Sequence, residues 1–212
     1  NDTQVETKTV QVLEPDTLTV KKEDINTVNK YDGYKFVGTN PTTIPNTINN
    51  NGIIKVYYEK DTFAYTVEYY YDGVIDNNKT ESKTALFKET ISTYTDKKIT
   101  GYKLEKTENL PLVITSDSTK NVIKVYYVKD NYGYKVEYYY DGVLDDSKTY
   151  TNSAEFGSKV ETYPDEVIKG YSFEKTENFP LTITENTESN LIKVYYVSNS
   201  YDYTIKHVEK GN

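Results

Sequence analysis

From residue 65 the apolar and polar positions alternate. Tyr65, Val67, Tyr69 and Tyr71 fall on one side, and Thr66, Glu68 and Tyr70 on the other. Successive side chains of a strand point to opposite faces, so this pattern predicts a strand with one face on a core. Asp72-Gly73 then predicts a turn, with Gly supplying a positive φ. A second strand is expected over 84–93. A short helix is expected over 96–100: in the matching later segment Pro164 suits a first helical turn, Asp165 and Glu166 suit its positive end, and Gly170 suits its close. A third strand is expected over 102–107 and a last over 122–128, with Ile123, Val125 and Tyr127 on one face.

This order of strand, strand, short helix, strand, strand occurs twice. Tyr65-Thr66-Val67-Glu68-Tyr69-Tyr70-Tyr71-Asp72-Gly73-Val74 returns as Tyr134-Lys135-Val136-Glu137-Tyr138-Tyr139-Tyr140-Asp141-Gly142-Val143, an offset of 69 residues. The same offset carries Ile54-Lys55-Val56-Tyr57-Tyr58 to Ile123-Lys124-Val125-Tyr126-Tyr127 and on to Ile192-Lys193-Val194-Tyr195-Tyr196. A unit of this length exceeds the usual solenoid period of roughly 20–50 residues and is long enough to enclose a small core of its own. The division read from the sequence is 1–64, a divergent N-terminal repeat or cap; 65–133 and 134–202, two full repeats; and 203–212, the start of a further one. In the first segment Gly33-Tyr34-Lys35-Phe36 matches Gly101-Tyr102-Lys103-Leu104 and Gly170-Tyr171-Ser172-Phe173. Val10-Gln11-Val12-Leu13 is the candidate replacement for its missing Tyr-rich strand. Linkers of about five residues, 129–133 and 198–202, leave little room for swinging, and three such units would make a rod of order 100 Å.

Composition narrows the chemistry. The chain has no Cys, which excludes thiol catalysis, disulfides and Cys-based zinc sites. Its net charge is −8 and all 25 cationic residues are Lys. Nucleic acid and anionic membranes want basic patches, so neither is an expected partner. No stretch has the length and apolar content of a membrane-spanning helix. The chain opens on Asn1 and its last residues begin a new repeat, the expectation being a fragment of a longer array.

A Tyr/Val strand, an Asp-Gly turn, a Gly-Tyr before the third strand and a terminal Val-Tyr-Tyr strand resemble the MucBP (mucin-binding-protein) repeats of Gram-positive surface adhesins. The residues that carry the resemblance are Tyr65 to Gly73, Gly101-Tyr102, Lys106-Thr107-Glu108 and Val125-Tyr126-Tyr127, with their equivalents one period later. It covers 65–202 well, 33–58 in part and 203–210 as a start. β-Grasp repeats such as those of internalin B and of Listeria–Bacteroides type arrays share much of the pattern. The resemblance implies ubiquitin-like β-grasp modules, secretion, cell-wall attachment and a role in adhesion. The expected class is therefore α+β and strand-dominated, as tandem β-grasp repeats in an elongated rod, monomeric and without cofactor.

Tyr70, Tyr139, Tyr57, Tyr126 and Tyr195 lie off the expected core face and are the candidate ligand-binding residues. An exposed Tyr ring can stack on a sugar and donate from its hydroxyl; the same rings can instead pack in cross-strand pairs or cover the sheet against the helix. Asp72 and Asp76, and Asp141, Asp145 and Asp146, raise the question of Ca²⁺, but their spacing fits no EF-hand-like pattern and turn propensity accounts for them. No Lys, Asn and acidic residue is singled out as an isopeptide set. Pro111 and Pro180 are expected to shape a strand end. No carboxylate pair recurs at a spacing that marks a glycosidase. The expected function is a non-enzymatic stalk of a cell-surface adhesin. The alternative is a set of weak glycan- or mucin-binding modules acting by avidity on a host glycoprotein.

Overall fold

The structure is a computed structural model, and it describes residues 9, 17–21, 23, 25, 30–49 and 51–211. The segment Val10-Gln11-Val12-Leu13 lies outside the described residues. In the N-terminal segment β1 (Thr17–Thr19), β2 (Tyr34–Asn40), β3 (Thr47–Asn49) and β4 (Lys55–Lys60) form two antiparallel pairs, β1 with β3 and β2 with β4. The next stretch carries β5 (Thr62–Tyr71), β6 (Val74–Ile75), β7 (Glu81–Leu86), β8 (Thr90–Ile91), β9 (Tyr102–Glu108), β10 (Leu112–Val113) and β11 (Val122–Lys129). The last carries β12 (Asn131–Tyr140), β13 (Val143–Leu144), β14 (Tyr150–Glu155), β15 (Lys159–Val160), β16 (Tyr171–Glu177), β17 (Leu181–Thr182) and β18 (Leu191–Ser198).

The two series share one topology. Five-stranded sheets run β6-β5-β11-β9 with β7 also on β5, and β13-β12-β18-β16 with β14 also on β12. A small second sheet joins β8 to β10 in one series and β15 to β17 in the other. In the last repeat the first and last strands are parallel neighbours, with Tyr138 opposite Val194 and Tyr139 opposite Tyr195. The alternation seen in the sequence fixes which face is inside. Asp72 and Gly73 both take positive φ, 49° and 78°, as a two-residue type I′ turn between twisted strands requires.

Two compact units are distinguished, residues 1–68 with 80–95 and 108–124, and residues 69–79 with 96–107 and 125–212. The core of the first contains Tyr65, Val67, Ala85, Phe87, Leu112, Ile114 and Ile123. The second buries Tyr69, Val125 and Tyr127, together with a cluster that includes Tyr134, Val136, Tyr138, Ile183, Ile192, Val194 and Tyr196. Asn121 and Asn190 are the fully buried polar residues of the described set. The Asn190 carboxamide accepts from the N–H of Thr184 at 2.9 Å and donates to the Thr184 and Gly133 carbonyls at 2.8 and 3.1 Å. Asn121 does the same with Thr115 and Ala64. Each amide is thus saturated, which is what its burial demands.

Several expectations are corrected. No α-helix occurs among the described residues, and Ser118–Lys120 and Asp146–Lys148 are 3₁₀ turns of three residues each. The protein is strand-dominated, and α+β describes it poorly. The expected helices at 96–100 and near 164–170 are segments without regular secondary structure that end in a turn. Their acceptors are taken by distant tyrosines: Tyr138 donates to the Pro164 carbonyl and Tyr140 to that of Glu166, both at 2.5 Å, and Tyr196 donates to the Asp165 carboxylate at 2.5 Å. In the earlier repeat Tyr71 donates to the Lys97 carbonyl and Tyr127 to the Asp96 carboxylate. The second strand expected over 84–93 is two strands in different sheets, β7 and β8, and 153–162 divides likewise into β14 and β15. The five-residue linker at 129–133 is a single residue, Asp130, between β11 and β12. Residues 199–211 carry no regular structure.

Candidate functional site

Tyr139 and Tyr195 stand directly opposite each other on the parallel strands β12 and β18, on the face turned away from the core. Their rings stack with centroids 4.9 Å apart and planes 22° from parallel. Tyr70 and Tyr126, one period earlier, stack at 4.7 Å and 20°. The sequence candidates are therefore brought together in pairs. Tyr57 is not brought into such a pair; it is half-buried on β4 opposite Gly38, where the register shifts between Phe36 and Gly38.

Lysine ammonium groups lie over the stacked rings. The Lys175 ammonium lies 4.7 Å from the Tyr195 centroid and that of Lys193 lies 5.7 Å from Tyr139. Lys106 sits 4.7 Å from Tyr126. Such contacts are attracted by the ring quadrupole. Carboxylates hold the hydroxyls: Tyr139 donates to Glu137 at 2.8 Å and Tyr195 to Glu177 at 3.0 Å, while Lys175 pairs with Glu177 at 3.1 Å. The bond to Glu137, with burial second, pushes the Tyr139 phenol up to about 12. Lys175 and then Tyr195 hold the Glu177 carboxyl below its usual range. Rings that stack on each other and meet lysines have the geometry of cross-strand packing.

The acidic turns are occupied by local bonds. Asp76 accepts from the N–H of Asn78 at 3.0 Å and pairs with Lys79 at 3.0 Å. Asp145 accepts from Ser147 N–H at 3.1 Å and from its hydroxyl at 2.6 Å. Among the described residues no three His, Cys, Asp or Glu side chains are grouped to hold a metal ion. Pro111 and Pro180 follow cis peptide bonds and directly precede β10 and β17.

A second constellation was not singled out in the sequence. Gly33 and Gly101 are buried and have φ of 77° and 81°. A Cβ on Gly33 would come within 3.0 Å of the Phe87 ring, and one on Gly101 within 3.0 Å of the Phe156 ring. The backbone around each contact is the same. Asp61 N–H donates to the Gly33 carbonyl at 2.9 Å and Phe87 N–H to the Asp61 carbonyl at 2.8 Å. Asp130 N–H donates to the Gly101 carbonyl at 2.8 Å and Phe156 N–H to the Asp130 carbonyl at 2.9 Å. Edge-on aromatic contacts complete the grip, Phe63 on Phe87 at 6.1 Å and Tyr132 on Phe156 at 6.2 Å. Around Phe156 the Gly101 N–H and the Tyr132 hydroxyl both donate to Glu185, at 2.6 and 3.2 Å, and Lys129 pairs with Glu155 at 3.3 Å. Gly101 belongs to the repeat at 65–133 and Phe156 to the one at 134–202, so this is a joint between consecutive repeats. The signal available in the sequence was the 69-residue recurrence of Asp-x-Phe/Tyr at Asp61 and Asp130 and of Phe87 at Phe156.

Comparison with models of known protein families finds no match to this chain, and no curated protein matches it.

Proposed function

We propose that this chain is a non-enzymatic repeat segment of a bacterial cell-surface adhesin, secreted and wall-attached, that acts mainly as an extended, monomeric stalk. The observation that carries the reading is the joint: one residue, Asp130, separates the last strand of one repeat from the first of the next, and Phe156 closes on Gly101 across it. A stalk must transmit position along its length, and a short, hydrogen-bonded, aromatic-filled joint resists bending better than a flexible tether. The parallel pairing of first and last strands in the 134–202 repeat supports a β-grasp relationship, with an irregular segment standing where a β-grasp helix would lie.

The avidity reading has weaker support, because four of the candidate tyrosines stack on one another in pairs and meet lysines. The test is binding of the chain to immobilised mucin and to a glycan array. A stalk is expected to give at most millimolar affinity, a free energy of about −4 kcal/mol. Micromolar binding, abolished by Tyr70→Ala with Tyr139→Ala in a protein that still folds, would replace the stalk with a repeated lectin-like module.

A further inference from the structure

The joint occurs twice in filled form and once in half. Gly170 is the third glycine of the series, with φ of 91°, and Asn199 N–H donates to its carbonyl at 2.7 Å, as Asp61 and Asp130 do at Gly33 and Gly101. Nothing lies within 4 Å of a Cβ placed on Gly170, and the residue is half-buried where Gly33 and Gly101 are buried. Tyr201, the counterpart of Phe63 and Tyr132, is 78% exposed where those two are half-buried against a Phe.

We propose that the Gly170–Asn199 end of the last repeat is a preformed socket for the Phe-bearing turn of a further repeat of this same type. The occupant is set by the two filled copies. It is a phenylalanine 26 residues beyond the Asp or Asn of the joint, as Phe87 is beyond Asp61 and Phe156 beyond Asp130. Its own N–H reaches the carbonyl of that residue, here Asn199, and its ring covers a glycine held at positive φ. Only glycine leaves both the conformation and the space for that ring. Asn199 keeps the backbone role of the aspartates, and its side chain accepts from the Ser172 hydroxyl at 2.6 Å where Asp130 pairs with Lys103. The proposal rests on the reading of the chain as a repeat array.

The test is an isotope-labelled chain in which residues 203–212 are replaced by a second copy of 134–202, compared by NMR with the 212-residue protein. The Gly170 Hα resonances are expected to move upfield to the range of Gly33 and Gly101, with cross-relaxation to the ring of the added copy's Phe156. Phe156→Ala in the added copy is expected to return them. In the 212-residue protein Phe156→Ala is expected to move Gly101 alone, which calibrates the ring-current shift. Gly170 resonances that stay unmoved beside a folded added copy would overturn the socket. So would an added copy that remains unfolded, since the same sequence folds at 134–202 when its joint is filled. Unmoved Gly170 resonances alongside an extended particle in solution would reject the socket and leave the stalk standing.

Discussion

Asn190 binds Thr184 through both edges of its amide, accepting from the Thr184 N–H at 2.9 Å and donating to the Thr184 carbonyl at 2.8 Å. The side chain acts as a missing strand for the backbone that follows β17. Its remaining N–H reaches the Gly133 carbonyl, tying this loop to β12. Asn190→Ala is expected to destabilise the protein by about 3 kcal/mol, because a buried N–H and two buried carbonyls lose their partners. Chemical denaturation checks this, and Asn190→Asp is expected to rescue little, since a carboxylate cannot donate to the two carbonyls.

Gly101→Ala and Gly170→Ala separate backbone strain from packing. Both variants force a Cβ into the left-handed region, at about 1–2 kcal/mol. Only Gly101→Ala also pushes on Phe156, adding about 1–3 kcal/mol of overpacking. Thermal melts should therefore rank Gly101→Ala well below Gly170→Ala. Equal melting temperatures would mean that the Phe156 contact contributes nothing.

The faces of the long strands were legible in the sequence, and the irregular course of 96–100 and 164–170 was not. Tyr65, Val67 and Tyr69 are buried as their spacing says, because period 2 is a local property of a strand. The Pro164-Asp165-Glu166 start and the Gly170 stop are also local signals, and they were outweighed by partners far along the chain. Tyr138, Tyr140 and Tyr196 arrive from 26 to 31 residues away to take the acceptors of this segment. Gly101 and Gly170 do take the positive φ that suits a helix-closing glycine, without a helix before them. The pairing of Tyr139 with Tyr195 follows from the strand order, which one-dimensional pattern does not contain. Glu185 accepts from the N–H of Gly101, 84 residues away, a partner that no local pattern announces.

The tyrosines give the fold an alkaline limit. Burial is the first cause that raises the Tyr71, Tyr138, Tyr140 and Tyr196 phenols above their ordinary value. In the unfolded chain they titrate near 10. Below that pH both states hold the protons and their stabilisation is complete. Above it the unfolded state releases protons that the folded state keeps, so stability falls with rising pH. Phenolate absorbance is expected to appear in two stages, exposed tyrosines first and the buried set together with loss of circular dichroism. A single stage with no unfolding would contradict the buried hydroxyl network.

Tyr139 and Tyr195 should be energetically coupled. A double-mutant cycle to Ala is expected to return about 0.5–1.5 kcal/mol of interaction beyond the single losses. A coupling near zero, with both single variants fully stable, would free these rings for a ligand and revive the avidity reading.

Small-angle X-ray scattering tests the central claim most directly, since a stalk is a statement about shape. The proposed stalk, three repeats in line and of order 100 Å, predicts a radius of gyration of about 30 Å and a long-tailed distance distribution. A globule of this chain length would give about 17 Å. A value near 30 Å that falls when Phe156→Ala loosens the joint is the predicted result, and a symmetric distribution with a radius near 17 Å would contradict the stalk.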